Sequence, residues 1–270
     1  MHRLLVETDL LEETSPVLPA DAARHLKVLR PKDGEEIELF DGRGKWRVYR
    51  FCASLASGRD SPRIAPASQL ASLGGYASPL RAQSNNRTIE QSNNSLTLFA
   101  CITKGSRWDW TVEKATELGV TRIVPVISER TIVRIPKAER AAKRERWMRI
   151  AEDAARQSDA KWLPEICEAV DFKDSLPLVK ETKCFIGALT EPPSPLLLAA
   201  VEDLRRETGD LKGVSTFIGP EWDFTPEELK ALMEIATPTS FGPTILRAET
   251  AAIFAVSVLV SSIHGGNGHG

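Results

Sequence analysis

From residue 96 onward the chain alternates short apolar runs with longer amphipathic ones. LTLFACIT (96–103), TRIVPVIS (121–128), PEICEAV (164–170), KCFIGAL (183–189) and GVSTFI (213–218) have the length and β-branched or aromatic content of buried strands. Between them SRWDWTVEKATELG (106–119), residues 138–158, SPLLLAAVEDLRRE (194–207) and PEELKALMEIA (226–236) carry helical spacing. In the first of these, Trp108, Val112, Ala115 and Leu118 share one face, with Ser106 expected as N-cap, Asp109 at the third helical position and Gly119 as the stop. Thr225, Pro226 and Glu228 spell a capping box at the start of another. A final run, Ala251 to Ile263, is apolar nearly all round and must be buried. Strands separated by helices pair in parallel, so the pattern predicts an α/β sheet covered on both faces. In such sheets ligands sit beyond the carboxyl ends of the strands.

The first 55 residues have a different texture. His2 to Val6 reads as a short strand, and EEIELFDGRGKWRVYRF (35–51) as a hairpin turning at Asp41-Gly42-Arg43-Gly44. Between them DAARHLKVLRPKDG (21–34) predicts a short helix with Arg24, Lys27 and Arg30 along one side, fitting either a solvated face or a phosphate-contacting one. Residues 56–95 are rich in Ser, Asn, Pro and Gly and keep no period, which marks a long loop or insertion with strand fragments near Ile64 and Ile89. The expected division is therefore 1–95 and 96–270.

Composition narrows the function classes. The chain has 270 residues, 42% of them hydrophobic, enough for a substantial core. Its longest apolar run falls short of the roughly 20 residues that span a bilayer and is interrupted by serines. The opening residues turn acidic before any signal-like apolar stretch develops. Four widely spaced cysteines without clustered histidines point to buried thiols in a reducing cytoplasm rather than to a metal site. A net charge of −2 confines any nucleic-acid contact to local patches. One such patch is expected along residues 134–149, where Arg134, Lys137, Arg140, Lys143, Arg144, Arg146 and Arg149 stand against Glu139 and Glu145, extended by Lys104, Arg107 and Arg130. Dinucleotide, P-loop and nucleophile-elbow fingerprints do not occur.

Two loops of one style close the chain. FIGPEWDFTPEEL (217–229) and FGPTILRAETA (241–251) each follow an apolar run with Gly-Pro and lead into a helix, and Leu189-Thr190-Glu191 follows another strand. With KGSRWDWTVEKATELGVTRIVPVISERTIV (104–133) and RWMRIAEDAARQSDAKWLPEI (146–166), these segments resemble the RsmE family of the SPOUT superfamily, bacterial methyltransferases acting on N3 of a uridine in 16S ribosomal RNA. LKVLRPKDGEEIELFDGRG (26–44) is similar to that family's N-terminal PUA-like barrel.

The resemblance implies a deep trefoil knot in the C-terminal domain, S-adenosylmethionine held in the knot's loops, a homodimer, and 16S rRNA or the assembled small subunit as substrate. It implies donor contacts around Leu189, Thr190, Ile218, Gly219, Pro220, Glu221, Gly242, Ile245, Leu246 and Thr250. RNA contacts are expected at Arg3, Arg24, Arg30, Lys104 and Arg107. Methyl transfer from a sulfonium to a ring nitrogen is an in-line displacement that needs positioning, a proton acceptor and charge stabilisation. Glu249, or a water, is the expected acceptor and Arg247 the stabiliser of a uracil oxygen; a plain ion pair between the two is the alternative. Two departures stand out: Trp222 and Asp223 replace the family's usual glycines after Gly-Pro-Glu, and Thr244 replaces an arginine. An RNA-binding relative with an impaired donor site, or an α/β enzyme acting on a small nucleotide, are the competing readings.

Overall fold

The computed structural model describes residues 2–13, 16–51, 64–66, 95–179, 183–188, 190, 192–209, 211 and 213–264. It separates into two compact units, one of Met1–Gln91 with Ala155–Trp162, the other of Ser92–Ala154 with Leu163–Gly270.

The first unit holds β1 (His2–Leu5), α1 (Thr8–Glu12), α2 (Ala20–Leu29), β2 (Glu36–Phe40), β3 (Trp46–Phe51) and β4 (Ile64–Pro66). The strands lie in the order β1-β2-β3-β4, the first pair parallel and the others antiparallel. The expected hairpin forms between β2 and β3. Asp41 Oδ1 accepts from the amides of Arg43 at 2.7 Å and Lys45 at 3.0 Å, and Gly42 and Gly44 supply the positive φ. Leu4, Leu26, Ile37, Leu39 and Tyr49 centre the small core. The strand expected near Ile64 is β4; that near Ile89 lies outside the described residues.

Within this unit Arg3 departs from expectation. It is only 8% exposed, and its guanidinium donates to Glu38 Oε1 at 2.7 Å, to the carbonyl of Ala155 at 2.6 Å and to that of Ala160 at 3.0 Å. Lys161 Nζ meets the same carboxylate at 2.7 and 2.8 Å. A guanidinium consumed by a buried carboxylate and helix-end carbonyls cannot also face a phosphate, so Arg3 is a structural cation and leaves the RNA-contact set. Arg24 and Arg30 do stand exposed on or just after α2.

The second unit contains β5 (Leu96–Cys101), α3 (Ser106–Glu117), β6 (Arg122–Ile127), α4 (Lys137–Ser158, whose last turn falls in the first unit), β7 (Glu165–Ile166), β8 (Val170–Asp171), α5 (Phe172–Ser175), β9 (Lys183–Gly187), α6 (Leu197–Thr208), β10 (Val214–Ile218), α7 (Pro226–Met233), β11 (Thr237–Thr239) and α8 (Ala248–His264). The strands form one parallel sheet in the order β11-β9-β10-β5-β6-β7, with β8 also on β6. Side chains of β5 alternate: Leu96, Leu98 and Ala100 join the core that includes α8, while Phe99 and Cys101 join the opposite core with Phe172 and Leu232. Phe99 stacks on Phe217 of β10 with centroids 4.4 Å apart. α8 packs against α3, α6, β5 and β10, which is why its sequence is apolar nearly all round.

Two local expectations are corrected. The N-cap of α3 is Gly105 rather than Ser106, because the chain enters the helix at φ 70 and ψ −143, a conformation glycine adopts without strain. The strand β11, Thr237-Pro238-Thr239, escaped the pattern altogether; it pairs only with β9 at the sheet edge, where a proline without an amide donor is tolerated.

Gly187, at the end of β9, has its own steric requirement. A Cβ there would lie 2.6 Å from Cε2 of Phe241, whose ring packs on Phe254 at 5.5 Å. Gly187→Ala should therefore cost about 1–3 kcal/mol through overpacking, read as a lowered Tm. An unchanged melting curve would show that the ring moves freely.

Candidate active site

The parallel sheet reverses its direction of growth between β10 and β5: from β5 the chain builds outward through β6 and β7, then returns to add β9, β10 and β11 on the other side. Crevices form at such a switch point, beyond the carboxyl ends. The chain leaving β5 reaches α3 through Lys104 and Gly105, and the chain leaving β10 runs through Gly219, Pro220 and Glu221. Arg107, in the first turn of α3, lies 3.4 Å from Glu221 Oε1 and 3.9 Å from Glu249 Oε1 in the first turn of α8. Three segments distant in sequence thus meet at one guanidinium.

The cluster is short of donors. Both oxygens of Glu221 and Oε2 of Glu249 are buried with no hydrogen-bond partner. Two carboxylates facing one guanidinium leave a surplus negative charge and acceptor capacity, an arrangement that favours a ligand bearing positive charge or N–H groups. A cleft of about 490 Å³ opens beside them, lined by Ser106, Arg107, Asp109, Trp110, Glu113, Glu249 and Thr250. Trp110 is 42% exposed, whereas Trp108 on the core face of the same helix is buried.

Other expected residues fall in varied places. Leu189 lies outside the described residues. Thr190 bonds within its own loop, donating to the carbonyl of Pro192 at 2.8 Å and sharing a 2.6 Å contact with Ser194 Oγ. Ile218 and Pro220 are buried at the end of β10. Gly242 takes φ 127, Leu246 is half-buried and Ile245 is 85% exposed. Arg247 is exposed and does not line the cleft, so the structure brings Glu249 together with Arg107 instead. Lys104 is exposed at the entrance to α3.

The Trp-Asp departure is accommodated. Trp222 is 69% exposed and does not fill the loop, its carbonyl accepting from Arg130 at 3.0 Å. Asp223 occupies φ 61, the left-handed region a glycine would supply, and its Oδ1 accepts from the amide of Phe224 at 2.7 Å. The capping box forms as expected, and Glu228 Oε1 also accepts from the amide of Glu129 at 2.9 Å, tying α7 to the loop after β6.

Several cations of the run are engaged by protein acceptors, Arg140 and Arg144 from half-buried positions and Arg134 and Arg146 from exposed ones. Arg134 donates to the carbonyls of Ser128 and Glu129, Arg140 to Asp171, Arg144 to the carbonyl of Ile166 and Arg146 to Asp109. Arg134 bonds within its own loop, whereas the partners of Arg140, Arg144 and Arg146 sit on other segments, which sequence spacing could not show. Arg134, Lys137, Arg146 and Arg149 of the expected phosphate-facing patch stand exposed, the first and third of them with a protein acceptor as well.

Burial pushes the Cys101 thiol up to about 12, against the lowering pull of the Ser128 and Thr131 hydroxyls. At pH 8 the thiolate is then only about one part in ten thousand, so native protein should resist alkylation at Cys101 until it is unfolded. Fast native labelling, read by peptide mass spectrometry, would contradict this. Among the described residues no group of three or more metal-ligating side chains occurs, and no helix is long and apolar enough to cross a membrane.

A parallel α/β unit with an acidic, donor-poor cleft at its switch point, joined in one chain to a small β unit, has the architecture of a group-transfer enzyme with an accessory domain. Residues 90–260 match the RNA methyltransferase domain and residues 18–51 the RNA methyltransferase PUA domain. The chain belongs to this RNA methyltransferase family, within its RsmE group. It is 29% identical over 159 residues to the ribosomal RNA small subunit methyltransferase E of Bacillus subtilis, an alignment spanning 58% of this chain and 62% of that protein. The corresponding protein of Synechocystis is 29% identical over 263 residues, 95% of this chain and 76% of its own. The solved ribosomal RNA small subunit methyltransferase E of Neisseria gonorrhoeae, bound to S-adenosyl methionine, superposes with a TM-score of 0.74 at 28% identity, covering 96% of each chain.

Proposed function

We propose that this chain transfers the methyl group of S-adenosylmethionine to N3 of a uridine in 16S ribosomal RNA, free or in the assembled small subunit. The observation that carries the reading is the Arg107 guanidinium set between Glu221 and Glu249 at the switch point, with three buried carboxylate oxygens that accept no hydrogen bond. The names of the relatives and the donor bound in the Neisseria gonorrhoeae structure support it.

The residues fit a sulfonium donor. The surplus negative charge complements a cation, and Trp222 stays clear of the loop that its bulk threatened to fill. Glu221 and Thr250, with backbone groups of Leu189, Thr190, Ile218, Gly219, Pro220, Gly242, Ile245 and Leu246, would hold the donor. The donor supplies an electrophilic methyl carbon. The chain orients the acceptor ring, and the buried carboxylate of Glu249 receives the N3 proton. The same reading includes a cytoplasmic location beside the ribosomal substrate, RNA docking through Arg24 and Arg30, and a knotted C-terminal segment. It also includes a homodimer using the part-exposed Phe254 side of α8.

The test is mass spectrometry of 16S rRNA from cells with and without the gene, with methyl transfer by the purified chain in parallel. A single uridine losing its methyl group in the deletion strain is expected. An identical modification map, together with no S-adenosylmethionine binding by calorimetry, would overturn the reading.

A further inference from the structure

The indole of Trp110 has no part in the core. It stands two residues beyond Trp108, which puts it about 200° around the helix from the face formed by Trp108, Val112 and Ala115. An aromatic side chain left 42% exposed there forfeits burial that the helix readily provides elsewhere. It lines the cleft of about 490 Å³ with Arg107 and Glu249, and that volume lies in the range of small-ligand pockets, roughly 300–1,000 Å³. Independently, Glu249 is nine-tenths buried, lines the same cleft, and keeps Oε2 without a hydrogen-bond partner. A flat apolar wall, a guanidinium and an unpartnered carboxylate oxygen together match one chemical class: an unstacked nucleobase with a ring N–H beside a carbonyl oxygen.

We propose that this cleft is the acceptor-base subsite, in which Trp110 stacks on an unpaired uracil, Arg107 faces a ring carbonyl oxygen and Glu249 accepts the N3 proton. This rests on the methyltransferase reading and deepens it, moving the charge-stabilising role from Arg247 to Arg107. In the step itself the N3–H proton passes to the Glu249 carboxylate and the freed nitrogen pair bonds the methyl carbon. The carbon–sulfur pair returns to sulfur, leaving a neutral thioether. Negative charge gathers on the ring carbonyl oxygen as the proton leaves, which is where the Arg107 guanidinium acts. Pyrimidines with and without a ring N3–H are thereby distinguished at Glu249.

The test uses the full chain and two readouts. In the first, uridine 5′-monophosphate is titrated while tryptophan fluorescence is followed. Wild type should be quenched, Trp110→Phe should lose most of that quenching, and cytidine 5′-monophosphate, lacking the N3 proton, should bind more weakly. In the second, kcat/KM for 16S rRNA is measured. Trp110→Ala should fall on the order of tenfold to a hundredfold, Trp110→Phe should stay within a few-fold of wild type, and the S-adenosylmethionine Kd should hold in both. Should Trp110→Ala not fold, Trp110→Gln carries the same expectation. Quenching that survives in Trp110→Phe, equal binding of the two nucleotides, or full kcat/KM without the aromatic ring would each overturn the subsite. If wild type neither binds the donor nor methylates RNA, the functional reading fails, and the nucleotide titration still decides the base subsite by itself.

Discussion

Glu249→Gln is expected to lower the single-turnover methylation rate by about 10²–10⁴-fold, the usual contribution of a positioned proton acceptor. Gln preserves the shape of the side chain but replaces the acceptor oxygens with an amide that cannot take up a proton. Glu249 occupies the first turn of α8, is buried, and has its Oε2 oxygen unpartnered beside the cleft. Because the change also removes the surplus negative charge beside the donor, the rate is measured at saturating S-adenosylmethionine, with the donor affinity of the variant read by calorimetry, so that loss of chemistry is separated from loss of the donor. A rate within tenfold of wild type would remove Glu249 from proton transfer and leave water as the acceptor. Arg247→Ala provides the contrast. Its exposed side chain lies off the cleft lining, so its effect should be far smaller than that of Arg107→Ala.

Glu38→Gln should destabilise the first unit by about 2–4 kcal/mol, because the change removes the buried carboxylate shared by Arg3 and Lys161 and leaves them only the exposed carboxylate of Asp159, at 3.2 and 3.1 Å. Arg3 and Lys161 both reach the Glu38 carboxylate at 2.7 Å, and Arg3 lies 4.3 Å above the ring of Phe40. Denaturant unfolding followed at the aromatic side chains of that unit checks the figure. A loss below about 1 kcal/mol would mean that solvent reaches the pair and screens it. Since the ion pair closes residues 155–162 onto the first unit, the same variant should also expose the end of α4 to proteolysis.

Much of the second unit was legible because its signals are local. The continuous apolar run of β5, the face of Trp108, Val112 and Ala115, and the Thr225–Glu228 capping box each span one element, where sequence neighbours are also spatial neighbours. The site was legible only in pieces. Glu221, Glu249 and Arg107 were each singled out for separate roles, but nothing local says that one guanidinium lies within 3.9 Å of both carboxylates. Trp110 did leave a mark: an aromatic residue off the buried face of its helix, which periodicity alone makes conspicuous.

The sequence by itself determined the alternation of strand and helix, the burial of α8, the turn at Asp41 and the loops that end at Gly-Pro, since propensity, period and backbone allowance act over a few residues. Tertiary structure alone decided which charges face solvent. Arg3, Arg140 and Arg144 look like the exposed Arg149 in a basic tally, yet each is held by a carboxylate or carbonyl from another segment. It also decided where the chemistry gathers. The order of strands, set by long-range parallel pairing, brings the ends of β5 and β10 side by side and so sets Glu221 near the Arg107 guanidinium, which the packing of α8 on α3 brings near Glu249 as well.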